Sequence, residues 1–303
     1  MTTAERRSCP VCLAGDAASF LDKADLHLVR CSRCGMIFAS PLPAEASDDY
    51  YDQLGRPYYL SPDKLAGDYA AVRFERELRL LRRVCPTGSV LDVGCSTGAF
   101  LFQLRQRWPQ HYHGQGIEVS GAAIEYARER GVQVISDSLL THDFGGTRFD
   151  VVTFWAVLEH LAEPGAFVRR AFELLRSGGH CVVLVPNARS LAMRCLGAKY
   201  RYILSQHVNY FEAPTLEGLL VSAGFQAVSA GGSHFNPMVI WQDWRRGTAD
   251  VVSDHDRADL LRRTTRMKQS GWLRPAKVAL GWVEGALAMA GLADNLWWVG
   301  RKP

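Results

Sequence analysis

The chain has 303 residues, 48% of them hydrophobic and 22% charged, with a formal net charge of +4. That size exceeds one minimal domain and suits a large core with a small appended unit. The composition excludes a disordered or collagen-like chain, and the weak positive charge permits an anionic partner without demanding nucleic acid.

Residues 1–8 are polar and charged with no apolar run behind them, so no secretory leader is expected. No stretch offers the roughly 20 uncharged apolar residues of a membrane span. The nearest, 278–289, is interrupted by Glu284. Eight cysteines without a leader point to a reducing compartment, and the expected location is cytoplasmic.

Cys9-Pro-Val-Cys12 and Cys31-Ser-Arg-Cys34 form a C-x2-C-x18-C-x2-C pattern, which is zinc spacing. Two thiolates three positions apart on a tight turn reach one ion at about 2.3 Å, and two such turns complete a tetrahedron. Gly35 allows the positive φ such turns require. Four thiolates leave no open position, so the zinc is expected to be structural. Residues 1–40 are the expected zinc ribbon. In 41–67, Pro41, Pro43, Pro57 and Pro62 predict an extended linker. Its pairs Tyr50-Tyr51 and Tyr58-Tyr59 are suited to packing the linker onto the main domain or to walling a substrate pocket.

From residue 68 the pattern changes to an α/β alternation. A helix is expected over 68–85, strands over 89–93, 112–119, 132–135, 149–155, 180–185 and 225–230, and helices over 98–108, 122–130, 165–176 and 213–223. Such alternation predicts a parallel sheet covered on both faces, with ligands at the carboxyl ends of the strands.

The first strand ends in Asp92-Val-Gly94-Cys-Ser96-Thr-Gly98. A triphosphate loop needs a lysine after the last glycine, and none is there. A dinucleotide turn prefers a middle glycine where Ser96 stands. Glu118 ends the second strand, where a carboxylate can accept hydrogen bonds from both hydroxyls of a ribose. Asp137 follows the third strand and is placed to meet an adenine amino group. Asp92 beside the turn suits a cationic ligand better than a pyrophosphate.

Together, "VLDVGCSTGAF", "GIEVS", "FDVVTFWAVLEHLAEP" and "LLRSGGHCVVLVPN" resemble the ordered motifs of class I S-adenosylmethionine-dependent methyltransferases. "QHVNYFEAPTLEGLLVSAGF" resembles a bacterial branch of that superfamily, many members of which carry a cysteine-rich ribbon ahead of the catalytic domain. The resemblance implies a Rossmann-like seven-stranded sheet with an antiparallel last strand over 68–303. It implies that Gly94 and Gly98 approach the methionine part of the cofactor and that Glu118 takes the ribose. It further implies that Asp137 and Ser138 flank the adenine, and that Trp155 and Ala156 line the cleft. Ser96 is a mild departure, small enough not to block the cofactor.

A sulfonium is a good leaving group, so catalysis needs alignment and exclusion of water. A hydroxyl acceptor also benefits from a base, commonly histidine. His207, in the long loop after the fifth strand, is the favoured base, with Tyr210 as its neighbour. His160 reads as a structural residue fixing the turn after the fourth strand.

Residues 241–294 break the alternation and read as a helical insertion before a seventh strand at 296–300. Arg245, Arg246, Arg262, Arg263 and Arg266 suit a solvated face or an anionic substrate. An apolar helix over 276–292 suits core packing or a homodimer face.

The leading expectation is a methyltransferase acting on a small molecule or glycan, by O-methylation. An rRNA base methyltransferase is the alternative, although the ribbon has only slightly more Lys and Arg than Asp and Glu. A zinc-ribbon scaffold with a degenerate cofactor fold is the non-enzyme alternative.

Overall fold

The computed structural model describes residues 6–245 and 274–303. Arg246, Arg262, Arg263 and Arg266 lie outside them. The chain opens with three antiparallel strands, β1 (Ala17–Lys23), β2 (Leu26–Cys31) and β3 (Ile37–Ala39). Three helices follow: α1 (Asp48–Tyr59), α2 (Pro62–Asp68) and α3 (Glu75–Val84). The alternation then runs β4 (Gly88–Val93), α4 (Ala99–Arg107), β5 (Tyr112–Glu118), α5 (Gly121–Glu129), β6 (Gln133–Ser136), β7 (Phe149–Trp155), α6 (Pro164–Leu174) and β8 (Leu175–Pro186). After it come α7 (Leu191–Leu196), β9 (Asn209–Tyr210), α8 (Ala213–Ser222), β10 (Gln226–Ser233) and α9 (Pro237–Arg245). A helix at Arg274–Met289 leads into β11 (Asn295–Arg301).

The large sheet has seven strands in the order β10-β11-β8-β7-β4-β5-β6. β4 pairs in parallel with β5 and β7, β5 with β6, and β7 with β8, while β11 is antiparallel to both of its neighbours. This is the expected seven-stranded sheet with an antiparallel last strand. Strand β7 is buried along almost its whole length, as a central strand covered on both faces must be. The register sets Asp92 beside Gly116 on one side and Thr153 on the other, so the carboxyl ends of β4, β5 and β7 lie together.

The small sheet joins β1, β2 and β3 to β9, which comes from the loop after β8. Met36 and Phe38 pack in one apolar core with Leu158 and Phe211. The ribbon is thus fastened to the rest of the chain by backbone pairing and by a shared core.

Three expectations change. The segment 41–67 is not extended. Ser47 caps α1 by accepting from the N–H of Tyr50 at 3.2 Å, and α1 kinks at Gly55, whose φ is 55°. Pro57 lies just past the kink and Pro62 opens α2, positions where a missing N–H costs little. The helix expected from 68 begins at Glu75, after a turn. The apolar helix near the C-terminus ends at Met289, and Val278, Trp282, Val283 and Met289 on it are exposed. Among the described residues no helix is long and apolar enough to cross a membrane.

Candidate active site

A cavity of about 510 Å³ opens at the carboxyl ends of β4, β5, β6 and β7. Gly94 and Ser96 line it from β4, Glu118 from β5, Asp137 and Ser138 from β6, and Trp155 and Ala156 from β7. The remaining two predicted cofactor residues lie beneath that surface. Asp92 is buried and accepts from Thr153 Oγ1 at 2.6 Å. Burial, with Glu118 nearby acting in the same sense, lifts its carboxyl to about 7 against the pull of that hydrogen bond. Gly98 caps α4 with a φ of 75°. A Cβ there would lie 3.0 Å from Ala127 and 3.1 Å from Val132, so glycine is needed to bring α4 against α5 and the start of β6.

The turn is built by left-handed residues: Gly94 at φ 63° and Ser96 at φ 49°. A Cβ on Gly94 would meet Val157 Cγ2 at 2.9 Å. Glu118 holds the turn from the side. Its Oε2 accepts from the Ser96 N–H at 2.8 Å, and its Oε1 accepts from the N–H groups of Val119 and Ser120 at 2.9 and 3.1 Å. Burial raises its pKa, against those three donors. Asp137 is occupied in its own loop, accepting from the Ser138 N–H at 2.7 Å and Thr141 Oγ1 at 3.0 Å, with His142 Nδ1 3.0 Å from its other oxygen. Ser96 Oγ and Trp155 Nε1 are buried without a hydrogen-bond partner.

The opposite wall comes from the segment expected to be a linker. Tyr51, Tyr58 and Tyr59 line the cavity from α1, and Tyr50 does not. Asp52 ties α1 down by accepting from the Gly121 N–H at 2.8 Å. Lys64, from α2, also lines the cavity, with its ammonium 2.6 Å from Asp68. Sequence reasoning missed Lys64. The available signal was Pro62 opening a helix, with Lys64 and Asp68 one turn apart.

The two histidines lie in the reverse of their expected places. Among the described residues His160 is the one histidine lining the cavity, whereas His207 and Tyr210 do not line it. His207 is buried behind His160, ring centroids 4.6 Å apart and edge-on, and stacks on Tyr202. Tyr210 is in the apolar cluster of Leu28, Ile37 and Met193, because β9 carries its side chain into the ribbon. The Leu204 N–H donates to its hydroxyl at 3.3 Å.

His160 Nδ1 lies 2.9 Å from the Gln206 carbonyl and 2.7 Å from the Tyr51 hydroxyl. A carbonyl only accepts, so the Gln206 contact favours the tautomer with the proton on Nδ1, shared with the Tyr51 hydroxyl as a second acceptor, and with the lone pair on Nε2. Nε2 is 3.9 Å from a Glu159 oxygen. Burial lowers His160 to about 4 and raises Glu159 to about 8, so both favour neutral forms. Donor atoms of Glu159, His160 and His207 lie within 4.8 Å of one another.

In the ribbon, one sulfur from each of Cys9, Cys12, Cys31 and Cys34 falls within 4.8 Å of the others. The Cys9–Cys34 and Cys12–Cys31 sulfurs are 3.5 Å apart. The edge of a tetrahedral zinc–thiolate site is about 3.8 Å, so this donor set fits zinc.

A family profile described as a methyltransferase domain matches residues 69–230, more than half of the chain. The chain belongs to this methyltransferase family. The methyltransferase is 31% identical over 194 residues to the ubiquinone biosynthesis O-methyltransferase of Cereibacter sphaeroides, covering 57% of this chain and 73% of that one. It is 30% identical over 165 residues to the enzyme of the same name from Psychrobacter arcticus, covering 49% of this chain and 63% of that one. The chain thus spans less than two thirds of the Psychrobacter relative's length. A SAM-dependent methyltransferase from Thermotoga maritima shares the fold at a TM-score of 0.52 and 15% identity, covering 85% of this chain and 98% of that one. The [4+2]-cyclase SpnF shares it at 0.51 and 19%, covering 87% and 98%. A common fold therefore does not name the reaction. The cavity has features that fit S-adenosylmethionine: a buried carboxylate ends β5, and buried polar atoms on Ser96 and Trp155 have no hydrogen-bond partner in the protein.

Proposed function

We propose that the enzyme methylates a hydroxyl oxygen of a small molecule, with His160 as the base in place of His207. The observation that carries the reading is the placing of His160: it lines the same cavity as Glu118, and the Gln206 carbonyl holds its Nδ1 as the donor. The O-methyltransferase names of the relatives support an oxygen acceptor.

Gly94 and Ser96 would receive the methionine part of S-adenosylmethionine, and Glu118 would accept from the ribose hydroxyls. Asp137 and Ser138 would flank the adenine, with Trp155 and Ala156 along the cleft. Asp92 and Gly98 act from below, by shaping the turn. When bound, the cofactor supplies an electrophilic methyl carbon on a good leaving group. The protein's own work is alignment and proton removal. The acceptor proton passes to Nε2 of His160 as its oxygen attacks. Tyr51, Tyr58 and Tyr59 exclude water and suit the flat face of a phenolic ring or the C–H face of a sugar. Cys9, Cys12, Cys31 and Cys34 would hold one structural zinc.

The test is calorimetric titration with S-adenosylmethionine and with NAD as control, then methyl-labelled turnover on catechol and on methyl glycosides. Binding of the first ligand with label on an acceptor oxygen supports the reading. Binding of NAD alone, or label on nitrogen, overturns it.

A further inference from the structure

Arg7 lies in the ribbon, far in sequence from every cavity residue. Its side chain is half-buried. It donates to two carbonyls on different catalytic loops: Val208, after β8, at 3.2 Å, and Ala162, after β7. Its own N–H donates to Ser40 Oγ at 3.0 Å, and the guanidinium lies 5.7 Å from the Phe38 ring centre.

Those two loops are also tied to each other around His160. The N–H groups of Val208 and Asn209 both donate to the Glu159 carbonyl, at 2.8 and 3.0 Å. The Asn209 amide donates to the carbonyls of Leu158 and Leu161, at 2.8 and 2.7 Å. The Gln206 carbonyl that sets the His160 tautomer is two residues before Val208. From the ribbon side, the Ala39 N–H donates to Val208 at 2.9 Å, beside the β3–β9 pairing. The Val208 carbonyl therefore receives both Arg7 and the ribbon backbone.

We infer that Arg7 is a positioning residue for methyl transfer: it clamps the loops at Ala162 and Val208 so that the Gln206 carbonyl keeps the His160 proton on Nδ1. The ribbon is then part of the acceptor site's scaffold, rather than a separate recognition module. This rests on the proposed role of His160. The clamp acts at a distance, through a shift of the Gln206 carbonyl, and small misplacements of a reacting group are costly. Arginine suits the task because its planar fork points two N–H groups in fixed directions at two separated acceptors, whereas a lysine ammonium is a compact donor on a flexible stem.

The experiment uses the full-length, zinc-loaded chain and the variants Arg7→Met and Arg7→Lys. Zinc content and melting temperature report the ribbon, and calorimetry with S-adenosylhomocysteine reports the cofactor site. Nitrogen-15 imidazole spectra, with His160 assigned by its absence in His160→Gln, report the tautomer. For Arg7→Met the expected result is one zinc and unchanged S-adenosylhomocysteine affinity. Its His160 should show averaging between tautomers, and turnover of an accepted hydroxyl substrate should fall about 10- to 100-fold in kcat. Arg7→Lys should recover part of both losses, and it serves alone if the methionine variant does not fold. A His160 spectrum identical to wild type in the folded variants overturns the inference. So does loss of zinc and cofactor binding together, which would make Arg7 a purely structural residue. If His160→Gln turns over normally, the base assignment falls, and the Arg7 spectra still decide whether the clamp exists.

Discussion

The backbone N–H of Ser96 donates to Glu118 Oε2 at 2.8 Å, so the turn after β4 and the end of β5 are one unit. Ser96 holds a left-handed φ of 49°, and the carboxylate offsets part of the cost of that conformation. The residue expected to bind the ribose therefore also shapes the turn that receives the rest of the cofactor. Glu118→Ala should abolish measurable S-adenosylmethionine binding and lower stability by about 1–3 kcal/mol, the cost of unpaired buried donors. Glu118→Gln should keep more of the fold than of the affinity. Calorimetry and thermal melts separate the two losses, and full affinity in the alanine variant would contradict the site.

Substitution should rank the two histidines by their geometry. His160→Gln is expected to lower kcat by about 100-fold or more, the scale of a lost general base, with S-adenosylmethionine affinity kept. His207→Ala should cost stability through its packing on His160 and Tyr202 more than it costs chemistry. Steady-state kinetics beside melts would show it, and the reverse ranking would return the base to His207.

Gly94→Ala tests close packing rather than ligand contact. The added Cβ would be forced to 2.9 Å from Val157 Cγ2, at a φ of 63°. We expect a loss of about 1–3 kcal/mol from the conformation alone, read as a lower melting temperature. An unchanged melt would mean that the turn relaxes freely.

Three buried carboxyls set a pH dependence. Burial lifts Asp92 from 3.8 to about 7 and Glu159 from 4.5 to about 8, and it raises Glu118 as well. A folded chain that holds protons more tightly than the unfolded one is most stable below the ordinary carboxyl pKa. From that source, stability falls as the pH rises through about 4 to 8. His160, lowered from 6.5 to about 4, acts the other way and weakens the fold as the pH falls through that interval. Asp92→Asn should flatten the falling part between pH 4 and 7 without removing it. Denaturant melts across pH measure the slope, and an identical slope would show that Asp92 is solvated.

Stripping the metal should unfold the ribbon. With a thiol-reactive mercurial and a chelator present, one zinc per chain is expected to be released. The β1–β2–β3 sheet should lose its amide protection, because so small a unit has little core of its own. Release of no zinc from freshly purified protein would remove the metal assignment.

The seven-stranded sheet was readable because β4 and β7 are short apolar runs bounded by turns, and the alternation with helices placed the less apolar β5 and β6 between them in sequence. Its carboxyl ends then pointed to Gly94, Ser96, Glu118, Asp137 and Trp155. Three features were not readable, each for a local reason. Four prolines suggested extension over 41–67, but Pro57 and Pro62 sit where helices begin. β9 is two residues long and has no periodicity to detect. The choice between His160 and His207 depends on how the loop after β8 folds back, and long-range backbone bonds to Glu159 and Ala39 decide that.

The small sheet also sets an order of events during synthesis. Its first three strands are made early, yet the fourth, β9, is made only after β4 to β8. At about 5–20 residues per second, the gap is on the order of ten seconds. Until then β3 presents Ile37, Phe38 and Ala39, all buried in the finished protein, along an unpaired edge. While the residues between β3 and β9 are being made, the ribbon is therefore a sticky, incomplete sheet, and overexpression that outruns chaperone capacity should aggregate through that edge.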